Sequence, residues 1–129
     1  MSNLQSRQLS THTVRSSATL TASYVAGTVF TMDQDNYLTL IVDYTKGDET
    51  SMQLKIEASF DNSTYAQQVA ESTSGGTITV SLAERSFSAT GKYAIEVQPT
   101  RAKFIKVSVK ATGGTPTGTA AITAGHSWS

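Results

Sequence analysis

Tyr37–Tyr44 (YLTLIVDY) and Met52–Phe60 (MQLKIEASF), joined by the polar connector Thr45–Ser51 (TKGDETS), decide the fold class of this 129-residue chain. In the second run Met52, Leu54, Ile56, Ala58 and Phe60 alternate with Gln53, Lys55, Glu57 and Ser59. A period of two makes one apolar and one wet face only when the backbone is a half-buried strand. The connector is too short for the crossover of about a dozen residues that parallel neighbours require, so the pairing is antiparallel.

Outward from this pair, strand signals recur at short intervals with turn residues between them. Towards the N-terminus, Val29–Met32 is a short strand, and Ala18, Leu20, Ala22 and Tyr24 share a face. Residues 1–16 are polar and aperiodic and predict a flexible arm, leaving 17–129 as one domain. Towards the C-terminus, Asp61–Thr64 is a turn, and Tyr65–Val69 alternates, with a weak helix over Tyr65–Glu71 competing. Ser72–Gly76 is a glycine loop, after which Ile78, Val80 and Leu82 line one face. Tyr93, Ile95 and Val97 precede Pro99. Ile105, Val107 and Val109 oppose Lys106, Ser108 and Lys110, with Phe104 on that outer side. Thr112–Gly118 is a long turn before a last strand marked by Ala120, Ile122 and Ala124. About eight short strands without a convincing helix predict an all-β, antiparallel β-sandwich, either jelly-roll or immunoglobulin-like.

Composition narrows the function. There is no cysteine, which removes disulfides and thiolate metal sites and leaves packing and strand ladders to hold the fold. No apolar run approaches the ~18 residues of a membrane span, and the first residues lack the apolar segment of a secretory signal, so a soluble protein made in the cytoplasm is expected. Serine and threonine supply 37 residues, suited to pleated, half-exposed surfaces. Formal net charge is zero, which argues against a general nucleic-acid or membrane binder. All ten carboxylates lie between Asp33 and Glu96. Arg7 and Arg15 precede them, while Arg101, Lys103, Lys106 and Lys110 follow, so both ends are basic around an acidic middle.

Catalytic machinery is not evident. His12 and His126 fall in the polar arm and the C-terminal tail, away from elements able to hold a catalytic geometry. No nucleophile elbow is present, and the Gly75–Gly76 and Gly113–Gly114 pairs lack the Lys-Ser/Thr of a phosphate loop. Asp33, Asp35 and Asn36, joined by Asp48 and Glu49 if their loops met, are the candidate oxygen ligands for a cation. Turn formation explains them better. Expectations are therefore no catalytic residue, no cofactor and no metal. Trp128 and Phe104 are read equally as contact aromatics or as side chains folded back on the chain's own core; as contacts, with Arg7, Arg15, Lys106 and Lys110, they form the candidate partner surface.

The VDYTKGDETS hairpin, the SFDNSTYAQ turn and the FIKVSVKATG strand with its Thr/Gly-rich turn resemble small β-sandwich virion proteins of tailed bacteriophages, over residues 18–125. One departure is Tyr65, where the resembling turn often carries Trp. The resemblance implies a non-enzymatic virion structural protein, a head decoration protein that adds to the assembled shell. Its implied partners are its own subunits, as a homo-oligomer with a trimer favoured, and a major capsid or tail protein, with no nucleic acid or membrane. A tail or neck component is the nearest alternative. A non-catalytic carbohydrate-binding sandwich using Tyr37, Tyr44 and Tyr65 is the other.

Overall fold

A computed structural model describes residues 9–32, 35–97 and 102–127. Its strands, in chain order, are β1 (Ser10–Thr19), β2 (Val25–Ala26), β3 (Phe30–Thr31), β4 (Tyr37–Thr45), β5 (Glu49–Ser59), β6 (Ala66–Gln67), β7 (Val69–Ser74), β8 (Thr77–Leu82), β9 (Arg85–Phe87), β10 (Gly91–Val97), β11 (Phe104–Gly114) and β12 (Thr119–Ser127). Every pairing is antiparallel. No described residue is helical.

Two sheets make the sandwich. One runs β1-β12-β4-β10, the other β2-β11-β5-β6, with β3 also on β11 and β9 also on β5. Treating β2 with β3, and β6 with β9, as two interrupted strands leaves eight. The first pairs with the eighth, the second with the seventh, the third with the sixth and the fourth with the fifth. That nesting is a jelly roll, a single long hairpin wound into two layers. An immunoglobulin-type sandwich would instead place its first, second, fourth and fifth strands in one sheet.

Binary patterning puts the core between the layers. Leu38, Leu40, Val42 and Tyr44 of β4 face Met52, Leu54 and Ile56 of β5 and Ile105, Val107 and Val109 of β11, all buried in one cluster. Ala120, Ile122 and Ala124 of β12 and Ile95 and Val97 of β10 join it as the alternation predicts.

Four local expectations change. Residues 10–16 of the expected arm belong to β1, which pairs with β12 from Ser10↔His126 to Thr19↔Thr119. Two register shifts around Arg15 interrupt its pattern, leaving only Val14 of the strand buried, and this explains the missing periodicity. Residues 1–8 lie outside the described part. The expected face Ala18-Leu20-Ala22-Tyr24 does not form, because the strand ends at Thr19 and of the four only Leu20 is buried. Phe60 is 82% exposed, since β5 stops at Ser59. The Ser59 hydroxyl there accepts the amides of Asp61 and Asn62, and Asn62 adopts φ 60°. The expected Ser72–Gly76 loop shrinks to the Gly75–Gly76 turn, whereas the alternation over Tyr65–Val69 holds against the competing helix as β6 and the start of β7.

Candidate assembly surface

Between β6 and β9 the chain leaves the sandwich and returns as a separate two-stranded ribbon, β7–β8, pairing Val69↔Leu82 through Ser74↔Thr77. Gly75 and Gly76 have φ of 58° and 81°, the double positive φ of a two-residue type I′ turn. Six residues per strand make a ribbon roughly 20 Å long. Its root is fastened: the Ala83 amide donates to Gln68 O at 2.8 Å and the Gln68 amide to Ile56 O at 2.8 Å. The Gln67 side-chain amide reaches Ala83 O at 3.0 Å, and Arg85 donates to the Gln68 side-chain oxygen at 2.8 Å.

Cross-strand partners share a face, so the register sorts the ribbon into two sides. One carries Val69 with Leu82, Glu71 with Val80 and Thr73 with Ile78. The other holds only Ala70, Ser72, Ser74, Thr77, Thr79 and Ser81. On the apolar side Val69, Ile78, Val80 and Leu82 are 43%, 61%, 55% and 65% exposed. The alternation of Ile78, Val80 and Leu82 was legible in the sequence. That their face lies outside the core was not.

The outward face of the β11–β5 sheet is a charged and aromatic ladder. Lys55 and Lys110 sit over the Tyr24 ring at 4.6 and 4.8 Å from its centroid, Lys106 over Tyr65 at 4.0 Å, and Lys103 over Phe104 at 5.6 Å. Tyr24 donates to Glu84 at 2.5 Å, and burial followed by that bond pushes its phenol above the usual range. Tyr65 donates to Asn62. Lys106 and Lys110 thus lie on one surface with Phe104, which is half-buried, while Ser108 between them is covered. Arg15 is elsewhere, its guanidinium donating to Ala120 O, Ala18 O and Thr19 O at 3.0–3.2 Å, where it fastens the irregular end of β1. Arg7 and Trp128 lie outside the described residues.

The histidines contradict their expected placement on loose ends. His12 stands on β1 and His126 on β12, Nε2 to Nε2 at 2.8 Å, and Asp35 Oδ2 holds His126 Nδ1 at 2.6 Å. Both rings stack with Phe30, and His126 is buried. The Nε2–Nε2 contact is a hydrogen bond whose direction depends on the tautomers, and with the Asp35 contact it closes one end of the sandwich. A stack of three rings needs β1 as a strand, which sequence periodicity did not reveal.

Asp33 lies outside the described residues, and the other candidate cation ligands do not converge. Asp35 and Asn36 precede β4, whereas Asp48 and Glu49 follow its other end. Glu49 is fully buried, and its two oxygens accept the Tyr44 hydroxyl at 2.5 Å and the amides of Gly47, Thr117 and Gly118 at 2.9–3.1 Å. Burial alone would raise its pKa, but the bonds from Gly47, Tyr44 and Gly118 prevail and hold it at about 2. Among the described residues no group of three or more His, Cys, Asp or Glu is placed to hold a metal ion. Tyr44, one of three aromatics available to a sugar platform, is buried against Glu49, and Tyr65 lies under Lys106, so with Tyr37 they form no common surface.

Neither a protein-family model nor a curated protein matches the chain. Among solved structures it is similar to the SPBc2 prophage-derived protein YomS, with TM-score 0.62 and 15% identity over 98% of this chain and 99% of that one. It is also similar to a chain in the structure of infectious bursal disease virus Gx strain, with TM-score 0.55 and 11% identity over 96% of this chain and 32% of that one. These likenesses extend to the fold.

Proposed function

We propose that this chain is a structural subunit of a virus particle, working by contact with other protein copies and not by catalysis. The observation that carries this is the β7–β8 ribbon, an ordered element with four aliphatic side chains on one face that its own core does not cover. Contiguous exposed apolar surface on a soluble domain marks a contact site. The two fold likenesses, one to a prophage-derived protein and one to part of a virus protein, support the viral setting.

More finely, the chain decorates the outside of an assembled head. The Lys106–Lys110 surface meets acidic patches of the shell, and the virion is where the protein resides. Co-sedimentation of the purified chain with heads, and separately with tails, of the virus that encodes it tests this. Binding to heads supports decoration, binding to tails moves the site of action, and binding to neither refutes the proposal. Replacing Lys106 and Lys110 by Met leaves their stems over the tyrosines and should weaken capture, more so at low salt.

A further inference from the structure

We propose that the apolar face of the β7–β8 ribbon docks into a groove on the outward face of the β1-β12-β4 sheet of a second copy of this chain. This rests on the proposed function, because it supplies the partner for a contact surface already identified. The groove has a volume of about 330 Å³ and is lined by Leu9, Tyr37, Ile41, Thr39 and Thr123 with their neighbours on β1 and β12. That is the lower end of the ~300–1,000 Å³ range of ligand pockets, a size suited to a few side chains.

The described residues include nine exposed large hydrophobics. Four of them, Val69, Ile78, Val80 and Leu82, are on the ribbon, and three, Leu9, Tyr37 and Ile41, are in the groove. One chain therefore carries a projecting apolar face and a receiving one. A single contact between copies removes both from water, whereas foreign partners would need two distinct surfaces. The one charge of residues 69–82, Glu71, stands on the docking face opposite Val80 and must stay at the rim, in water, when that face docks; the groove lining itself contains no charge, with Glu96 accepting from Thr39 at its border. A formal net charge of zero adds no long-range repulsion between copies. The ribbon is rooted on β5, in the other sheet from the groove, so the docking is between molecules.

Donor and acceptor surfaces differ, so the contact is heterologous. Repeated with closing rotation it gives a ring, and otherwise it continues as a filament. A symmetric ribbon-to-ribbon dimer would leave the groove empty.

The test uses the full chain and two surface variants, Val80→Glu on the ribbon and Ile41→Glu in the groove, measured by sedimentation velocity and native mass spectrometry. Both side chains are exposed, so circular dichroism should be unchanged. Thr79→Glu, on the ribbon's opposite face, serves as control and should assemble normally. Wild type is expected to form a ring or a filament, either of which supports the contact, and each Glu variant alone should associate at least about tenfold more weakly, as for loss of one buried aliphatic contact. Mixed together, the two variants retain one intact ribbon and one intact groove, and should form a 1:1 pair that grows no further. A monomeric wild type, or an Ile41→Glu chain that assembles like wild type, overturns the inference. If such a chain still binds heads or tails, the structural function stands. If it binds neither, both fail.

Discussion

Replacing Glu49 by Gln should destabilise the protein in a way that disappears in acid. The carboxylate joins the β4–β5 turn to the β11–β12 turn by accepting one hydroxyl and three amides, with no solvent contact. Glutamine keeps the shape but presents an NH₂ group to two of those donors and leaves them unpaired. Lowering of the Glu49 pKa from 4.5 to about 2 converts to about 3 kcal/mol of stability. Because the folded-state value is the depressed one, that contribution is complete above the unfolded pKa near 4.5 and is lost as pH falls through about 2. Urea unfolding of both proteins at pH 7, 4.5, 3 and 2 should show a gap of about 3 kcal/mol at neutral pH, or roughly 10 °C in Tm, closing towards pH 2. A gap below about 1 kcal/mol at pH 7, or one that persists unchanged at pH 2, would refute the assignment of stability to the ionised carboxylate.

Three other outcomes follow from the geometry. Gly118→Ala places a Cβ 2.2 Å from Glu49 Oε2 and 2.7 Å from Thr45 O, and should cost about 2 kcal/mol in chemical denaturation, less than additively with Glu49→Gln. His126→Ala removes a buried ring stacked on His12 and Phe30 and strips Asp35 of its partner, for a loss of about 3 kcal/mol. His126→Phe should restore the stacking but not the hydrogen bonds and so recover only part of it. Gly76→Val puts a branched residue at φ 81°, and since nothing lies near the missing Cβ the effect should be local. Hydrogen exchange in β7–β8 should accelerate about tenfold while the melting temperature of the sandwich holds.

Legibility varied with how local the cause was. β4, β5, β10, β11 and β12 stand where alternation places them, since each has one face on the core and the period of two survives in the sequence. β1 was missed because its bulges around Arg15 break the period, and with it went the setting of His12. Glu49 reads as a turn residue or a cation ligand and not as a buried anchor, because three of its four partners are backbone amides and two of those come from Thr117 and Gly118, far along the chain. The contact residues expected at Lys106, Lys110 and Phe104 do share a surface, whereas Arg15 is occupied by carbonyls of its own strand and of β12.

Alternation of side chains by itself determined that this chain forms an antiparallel β-sandwich, because facing a core on one side only imposes a two-residue rhythm on every buried strand. Which strands lie side by side, and therefore that the sandwich is a jelly roll, came only from the tertiary structure, since the same rhythm serves any strand order. The same holds for β7–β8. Ile78, Val80 and Leu82 repeat as core residues do, and nothing in that repeat records that the ribbon stands away from the sheets and leaves them exposed.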